Sequence, residues 1–160
     1  MIAKRKRLRI KDFDYSSQNY YFVTICTDKR TCVFGDIDSL NDIGKIVDIE
    51  LQKVSEHFPN VKIDKYVVMP NHIHAIIVIG CEERTVGNGL DRSEKTSTLS
   101  QIIGLYKSGV SRQVHKVYPD LMVWQKSFYD HIIRNEKEYQ EIWKYIDENP
   151  VRWCDDEYYL

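Results

Sequence analysis

Two apolar runs, residues 61–69 and 72–79, stand on either side of Pro70-Asn71, and both are rich in Val and Ile. Short β-branched runs of this kind predict strands, and a Pro-Asn pair between them favours a turn, so the segment predicts a hairpin. Successive side chains on a strand point to opposite faces. His72 and His74 therefore share one face of the second strand, while Ile73, Ala75 and Ile77 point the other way, toward a core.

The same patterning extends along the chain. Residues 19–27 are aromatic and β-branched and predict a strand. Between 39 and 57, Leu40, Ile43, Ile46, Val47, Ile49, Leu51 and Val54 recur at helical spacing, with Ser39, Asn41 or Asp42 as candidate caps. A second helix over 98–117 carries the stripe Leu99, Ile102, Ile103, Tyr106, Val110 and Val114. A strand is expected within 121–133. A last helix over 135–149 is capped by Asn135, has Glu136 and Glu138 in its first turn, and is stopped by Pro150. Residues 81–97 are polar with two glycines and predict a mobile loop. The order β-α-β-β-α-β-α predicts an α+β fold: a ferredoxin-like split βαβ sandwich, with helices on one face of an antiparallel sheet, plus a C-terminal helix.

Length and composition narrow the class. At 160 residues and 42% apolar content the chain suits one domain, expected over 15–160 behind a basic arm at 1–14. No apolar run of about 18 residues exists, which excludes a membrane-spanning helix. The basic N-terminus is not followed by an apolar stretch, so it does not read as a secretory signal. The four cysteines (Cys26, Cys32, Cys81, Cys154) form no CxxC pair, and a cytoplasmic protein with free thiols is expected. The net charge of −1 conceals an asymmetry: Lys4, Arg5, Lys6, Arg7, Arg9 and Lys11 leave 17 basic against 24 acidic residues elsewhere. A basic arm on an acidic body points to a polyanion such as nucleic acid, or else to a solubilising tail.

Two imidazoles side by side on one strand face suit a divalent metal. Cys81 has the wrong strand parity to join them, so an open site completed by oxygen ligands is expected rather than a closed zinc site. Mg²⁺ or Mn²⁺ fits such a site, with phosphate oxygens and water completing the shell. On the last helix Tyr145 and Asn149 stand four residues apart on one face, an amide oxygen one turn from a phenol. A tyrosine beside a metal and two histidines suggests attack on a phosphodiester through a covalent phosphotyrosine. The same spacing also describes an ordinary core stripe of Ile142, Tyr145, Ile146 and Asn149, and Tyr129 is the main rival nucleophile. Trp124 and Arg134 are candidate DNA contacts, by stacking and by phosphate binding, with Trp124 equally suited to a core. Lys107 and Arg112 on the second helix could extend a basic track from the arm.

Pro70-Asn71-His72-Ile73-His74, then Trp124-Gln125 through Phe128, then Asp130-His131-Ile132-Ile133-Arg134-Asn135, then Tyr145-Ile146 with Asn149-Pro150, resembles the HUH single-tyrosine transposases. The resemblance is strongest to the REP-associated tyrosine transposase branch and covers residues 15–153. It implies a ferredoxin-like fold, a divalent metal on His72 and His74, and Tyr145 as the nucleophile of a 5′-phosphotyrosine intermediate. Asn149 stands where a polar ligand completes the site. Substrates of that family are DNA single strands folded as hairpins, REP-like or element-end sequences, and its members are often homodimers. The alternatives are a non-catalytic single-stranded nucleic-acid-binding module of the same fold, or a metal-dependent phosphodiesterase that uses activated water.

Overall fold

A computed structural model describes residues 19–80 and 97–159. The basic arm, with Lys4, Arg5, Lys6, Arg7, Arg9 and Lys11, lies outside the described residues, as does all but the last residue of the 81–97 loop.

Four strands form the main sheet: β1 (Asn19–Cys26), β4 (Val61–Val68), β5 (His72–Ile79) and β6 (Tyr129–Ile133). They lie in the order β4-β5-β1-β6, with every neighbouring pair antiparallel. The crossover from β1 to β4 skips β5, and the crossover from β5 to β6 skips β1. These are two interlocked split βαβ units, as the element order predicts. A two-residue hairpin, β2 (Gly35–Asp36) with β3 (Ser39–Leu40), precedes the first crossover helix.

That helix is shorter than its apolar periodicity suggests. Ser39 and Leu40 belong to β3, and α1 runs from Asp42 to Gln52. Asn41 sets its start, accepting a hydrogen bond from the Gly44 N–H at 2.9 Å. A single helical turn, α2 (Val54–His57), continues the path past Lys53. The second crossover helix, α3 (Leu99–His115), begins at a reciprocal Thr98–Gln101 capping box. The last helix, α4 (Glu136–Glu148), begins at Asn135, whose side chain accepts from the Glu138 N–H.

The helices divide between the two faces of the sheet. On one face Val47 and Leu51 of α1, and Leu99, Ile102, Ile103, Tyr106, Val110 and Val114 of α3, pack on Val23 and Ile25 of β1 and on Ile73, Ala75, Ile77 and Ile79 of β5. Each fully buried aliphatic side chain there contributes about 1.5–3 kcal/mol. On the opposite face Ile146 of α4 packs on Ile76 and Ile133, with Phe22, Val67, Tyr139 and Ile142 around them. β5 is buried along its whole length on both faces.

The strand expected within 121–133 is β6, at the end of that range. Strand structure begins only at Tyr129, and Val123, Trp124 and Phe128 enter the α1/α3 core from irregular chain. The Lys107 ammonium holds that chain by donating to the carbonyls of Gln125 and Ser127, at 2.8 and 2.7 Å. Among the described residues no helix is long and apolar enough to cross a membrane.

Candidate functional site

The β1–β5 register sets Thr24 opposite His74 and Cys26 opposite His72 on the face that α4 covers. Both imidazoles are buried, at 0% and 1% exposure, so they are not a solvated pair on an open sheet. Their Nε2 atoms face one another at 3.1 Å.

Asn71, in the β4–β5 turn, fixes the first ring. Its Nδ2 donates to the carbonyls of Arg30 at 3.0 Å and Tyr158 at 2.7 Å, which settles the amide orientation. Its Oδ1 then accepts from His72 Nδ1 at 2.8 Å. Neutral His72 consequently carries its proton on Nδ1 and turns the Nε2 lone pair inward. The His74 ring is positioned by Thr24 Oγ1, 2.8 Å from its Nδ1, a hydroxyl that can donate or accept. Such outer partners orient metal-ligating histidines. Burial pulls the His72 pKa down to about 4, against the opposing charge of Asp156. Burial, and then the neighbouring His72, hold His74 well below the usual histidine range. Both rings are neutral near pH 7, the form that binds metal.

α4 adds a phenol and an amide. Tyr145 and Asn149 face the histidines one turn apart, and Tyr145 Oη is 3.4 Å from His74 Nε2. Asn149 keeps helical angles (φ −57, ψ −42) although a proline follows it. Its Nδ2 donates to Asp156 at 2.7 Å. Its Oδ1 is buried and has no hydrogen-bond partner among the described residues. A buried acceptor left unpaired costs about 1–3 kcal/mol, which a bound cation would offset.

The segment after α4 completes the cluster. Asp156 places a carboxylate oxygen beside the two histidines, the three donor atoms lying within 4.8 Å of one another. The Tyr158 ring packs 4.6 Å from the His72 ring, with Trp153 at 5.8 Å. Cys26 is not among these grouped donor atoms, and burial pushes its thiol up to about 11. Two imidazole nitrogens with amide and carboxylate oxygens fit a hard or borderline divalent cation. Burial, then Asp156 and Glu157, push the Tyr145 phenol up to about 12. It borders an open cleft of about 690 Å³ whose lining also includes Glu148, Asn149, Arg152, Asp156 and Glu157.

A tight turn after β1 supports the site. In Asp28–Thr31, closed by Thr31 N–H to Asp28 O at 3.1 Å, both central residues are left-handed: Lys29 at φ 51 and Arg30 at φ 56. For residues other than glycine each such angle costs roughly 1–3 kcal/mol. Buried Thr27 anchors the turn, bonding Asn71 O through both its N–H and its hydroxyl at 3.0 Å.

No protein-family model matches the chain. A curated protein of Haemophilus influenzae, described as uncharacterized, is 36% identical over 171 residues, spanning 99% of this chain and 95% of its own. The chain belongs to that protein's family. Among solved structures, a REP-associated tyrosine transposase bound to a REP hairpin superposes with a TM-score of 0.58 at 20% identity, over 91% of this chain and 73% of the other. A candidate transposase from Deinococcus radiodurans R1 superposes at 0.51 with 15% identity, over 88% and 97%. This family therefore has the fold of those transposases, the α+β ferredoxin-like sandwich.

Of the residues singled out in the sequence, His72, His74, Tyr145 and Asn149 meet in one place. Four others lie away from that cluster. Trp124 offers no stacking surface, because its ring packs on Phe34 and Tyr106 and its Nε1 donates to Lys107 O. Lys107 is engaged by two carbonyls, and Arg112 shares its helix on the α1/α3 face, so the sheet separates both from the histidines. Arg134 follows the Ile133 end of β6, whereas Tyr129, at the other end, is the one level with Thr24 and His74. Tyr129 packs on Phe22 at 6.4 Å, outside the cluster. Thr24, Asp156 and Tyr158 escaped sequence reasoning. Asp156 follows a proline-terminated helix in an acidic stretch that reads as tail, and only the strand register reveals Thr24.

Proposed function

We propose that this protein is a metal-dependent, transposase-like DNA strand transferase. The carrying observation is the meeting of a phenol with two neutral, pre-oriented imidazoles and an unpaired buried amide oxygen. His72 Nε2, His74 Nε2 and Asn149 Oδ1 would hold Mg²⁺ or Mn²⁺, with the Asp156 carboxylate within the same reach. The bound ion would polarise the scissile phosphate and stabilise the charge that develops on it.

The protein groups divide the remaining work. Asn71 holds His72 in the required tautomer, and Thr24 positions the His74 ring. Asp156 holds the Asn149 amide so that its oxygen faces inward. Tyr145 Oη attacks phosphorus, an O–P bond forms, and the bond from phosphorus to the 3′ oxygen breaks. The phenol proton is lost and one proton ends on the departing 3′ hydroxyl, leaving a 5′-phosphotyrosine. A second 3′ hydroxyl reverses the step, so strand transfer rather than hydrolysis is the expected outcome. Even an ordinary phenol costs roughly 4 kcal/mol to ionise at pH 7, and burial, then Asp156 and Glu157, raise that cost for Tyr145. Cationic help at the site is therefore a requirement of the mechanism. The hairpin bound to the structurally similar REP-associated transposase supports hairpin DNA as the partner class, and the basic arm supports single-strand affinity.

The test is a denaturing-gel assay with labelled hairpin oligonucleotides from the DNA flanking the gene, with Mn²⁺ or with chelator. A metal-dependent protein–DNA adduct should form, fall at least about 10³-fold in Tyr145→Phe, and persist in Tyr129→Phe. Tight hairpin binding with no adduct would establish the binding-module alternative instead. Cleavage that survives Tyr145→Phe would establish a water-using phosphodiesterase.

A further inference from the structure

We propose that Arg30 is the phosphate-binding cation of this site, gripping the DNA backbone at the mouth of the metal centre; this rests on the strand-transferase reading. Consecutive left-handed residues in a tight turn ordinarily call for Asn or Gly, yet this chain has Lys29-Arg30. The neighbours over-determine the strained turn. Thr27 bonds Asn71 O, Asp28 N–H donates to Val123 O at 2.9 Å, and the Arg30 carbonyl accepts from Asn71 Nδ2. The same Asn71 orients His72, so one amide ties the Arg30 backbone to a candidate metal ligand. Strain held in this way at a site marks function more often than accident.

The guanidinium is held in reserve. Among the described residues Arg30 makes no ion pair, unlike Arg152, which pairs with Glu148 at 3.3 Å. Its contacts are weak ones: a 3.4 Å hydrogen bond from Nη1 to the Glu157 carbonyl, and the face of the Tyr158 ring 4.9 Å from Cζ. That ring lies 4.6 Å from His72, which puts the guanidinium one aromatic ring away from a candidate ligand. The cleft beside Tyr145 is lined by the acidic Glu141, Glu148, Asp155, Asp156 and Glu157, and its two lining cations, Lys144 and Arg152, both pair with Glu148, at 3.6 and 3.3 Å. A phosphodiester entering so acidic a place needs a cation the protein has not already neutralised. Arginine suits that task, since its fork matches two phosphate oxygens.

The test compares the native residue with Arg30→Gly and Arg30→Lys. Glycine keeps the left-handed turn and its backbone bonds while removing the side chain with its guanidinium. In a Tyr145→Phe background with Mg²⁺, fluorescence anisotropy follows a short unstructured DNA strand as salt is varied. The log–log salt slope should become shallower by about 0.7 in Arg30→Gly, one phosphate fewer, and stay near native in Arg30→Lys. With Tyr145 present, the adduct rate should fall about 10²–10³-fold in Arg30→Gly. Calorimetric Mn²⁺ affinity should be unchanged, because the Arg30 carbonyl remains on Asn71. An unchanged slope and an adduct rate within about threefold of native would overturn the assignment while leaving the transferase reading intact. If the native protein binds DNA without forming an adduct, the transferase reading fails, and the slope still decides whether Arg30 holds phosphate.

Discussion

The two faces of β5 are built from adjacent residues of one strand, and both are dry. On one face Ile73, Ala75, Ile77 and Ile79 pack against α1 and α3 in a continuous apolar core. On the other, Ile76 begins a small core under α4, and two residues earlier the surface becomes His74 and then His72. The first face gains stability from burial. The second buries titratable groups that oppose folding unless partners hold them, and leaves the Asn149 oxygen with none. The difference shows how one strand divides labour: the apolar face makes the scaffold rigid enough for the polar face to carry an arrangement that is poor for stability.

The sharpest way to break that contrast is a substitution on each face. Ile73→Ala empties a site with 0% exposure and should cost about 2–5 kcal/mol in urea unfolding. The rise in melting temperature that the proposed metal site gives with Mn²⁺ should survive in the fraction that remains folded. His74→Ala should abolish that rise. If Ile73→Ala also removes the metal response without unfolding the chain, the two faces are not separable.

Acid provides a second, smaller probe. His72 titrates near 6.5 in the unfolded chain and is pulled down to about 4 in the folded protein, and His74 moves in the same direction. Below pH 6.5 the unfolded chain therefore binds protons that the folded one does not, and stability falls. The stabilisation is fully present above 6.5, drains away as pH drops, and levels off near 4; for His72 alone it amounts to roughly 3 kcal/mol. Urea midpoints of chelator-treated protein should decline from pH 6.5 to 5. The decline should nearly vanish over that window in a His72→Gln, His74→Gln double variant. An equal decline in the variant would assign the acid sensitivity to carboxylates instead.

The division of labour was only partly visible in the chain. Strand parity puts His72 and His74 together, and helix periodicity does the same for Tyr145 and Asn149, because both are local rules that hold wherever the elements form. Which helix covers which face is not local. The buried stripe of α3 anchors its basic residues to the layer opposite the histidines, which the sequence does not declare. Trp124 lies in chain with no periodicity, so nothing in the sequence declared its direction. Ser39 and Leu40 continue a helical spacing, yet the cap at Asn41 begins the helix after them. Asp156, Tyr158 and Arg30 reach the site only through tertiary folding, from a tail and a turn whose sequences carry no motif.

Asn71 joins the visible and invisible parts, and it yields the smallest of the expected effects. It lies inside the Pro70-to-His74 run, yet its three hydrogen bonds reach Arg30, Tyr158 and His72, so its role is one of assembly. Asn71→Ala would free His72 to rotate and to move its proton to Nε2, the atom a metal needs bare. Removing such an outer partner typically weakens metal affinity 10–100-fold, about 1.4–2.7 kcal/mol. Calorimetric Mn²⁺ titration should show that loss. Asn71→Asp should recover affinity in part, since a carboxylate accepts from Nδ1 but cannot donate to the two carbonyls. Native affinity in Asn71→Ala would mean that the apolar walls alone orient His72, and that the two faces of β5 are less different in kind than their residues suggest.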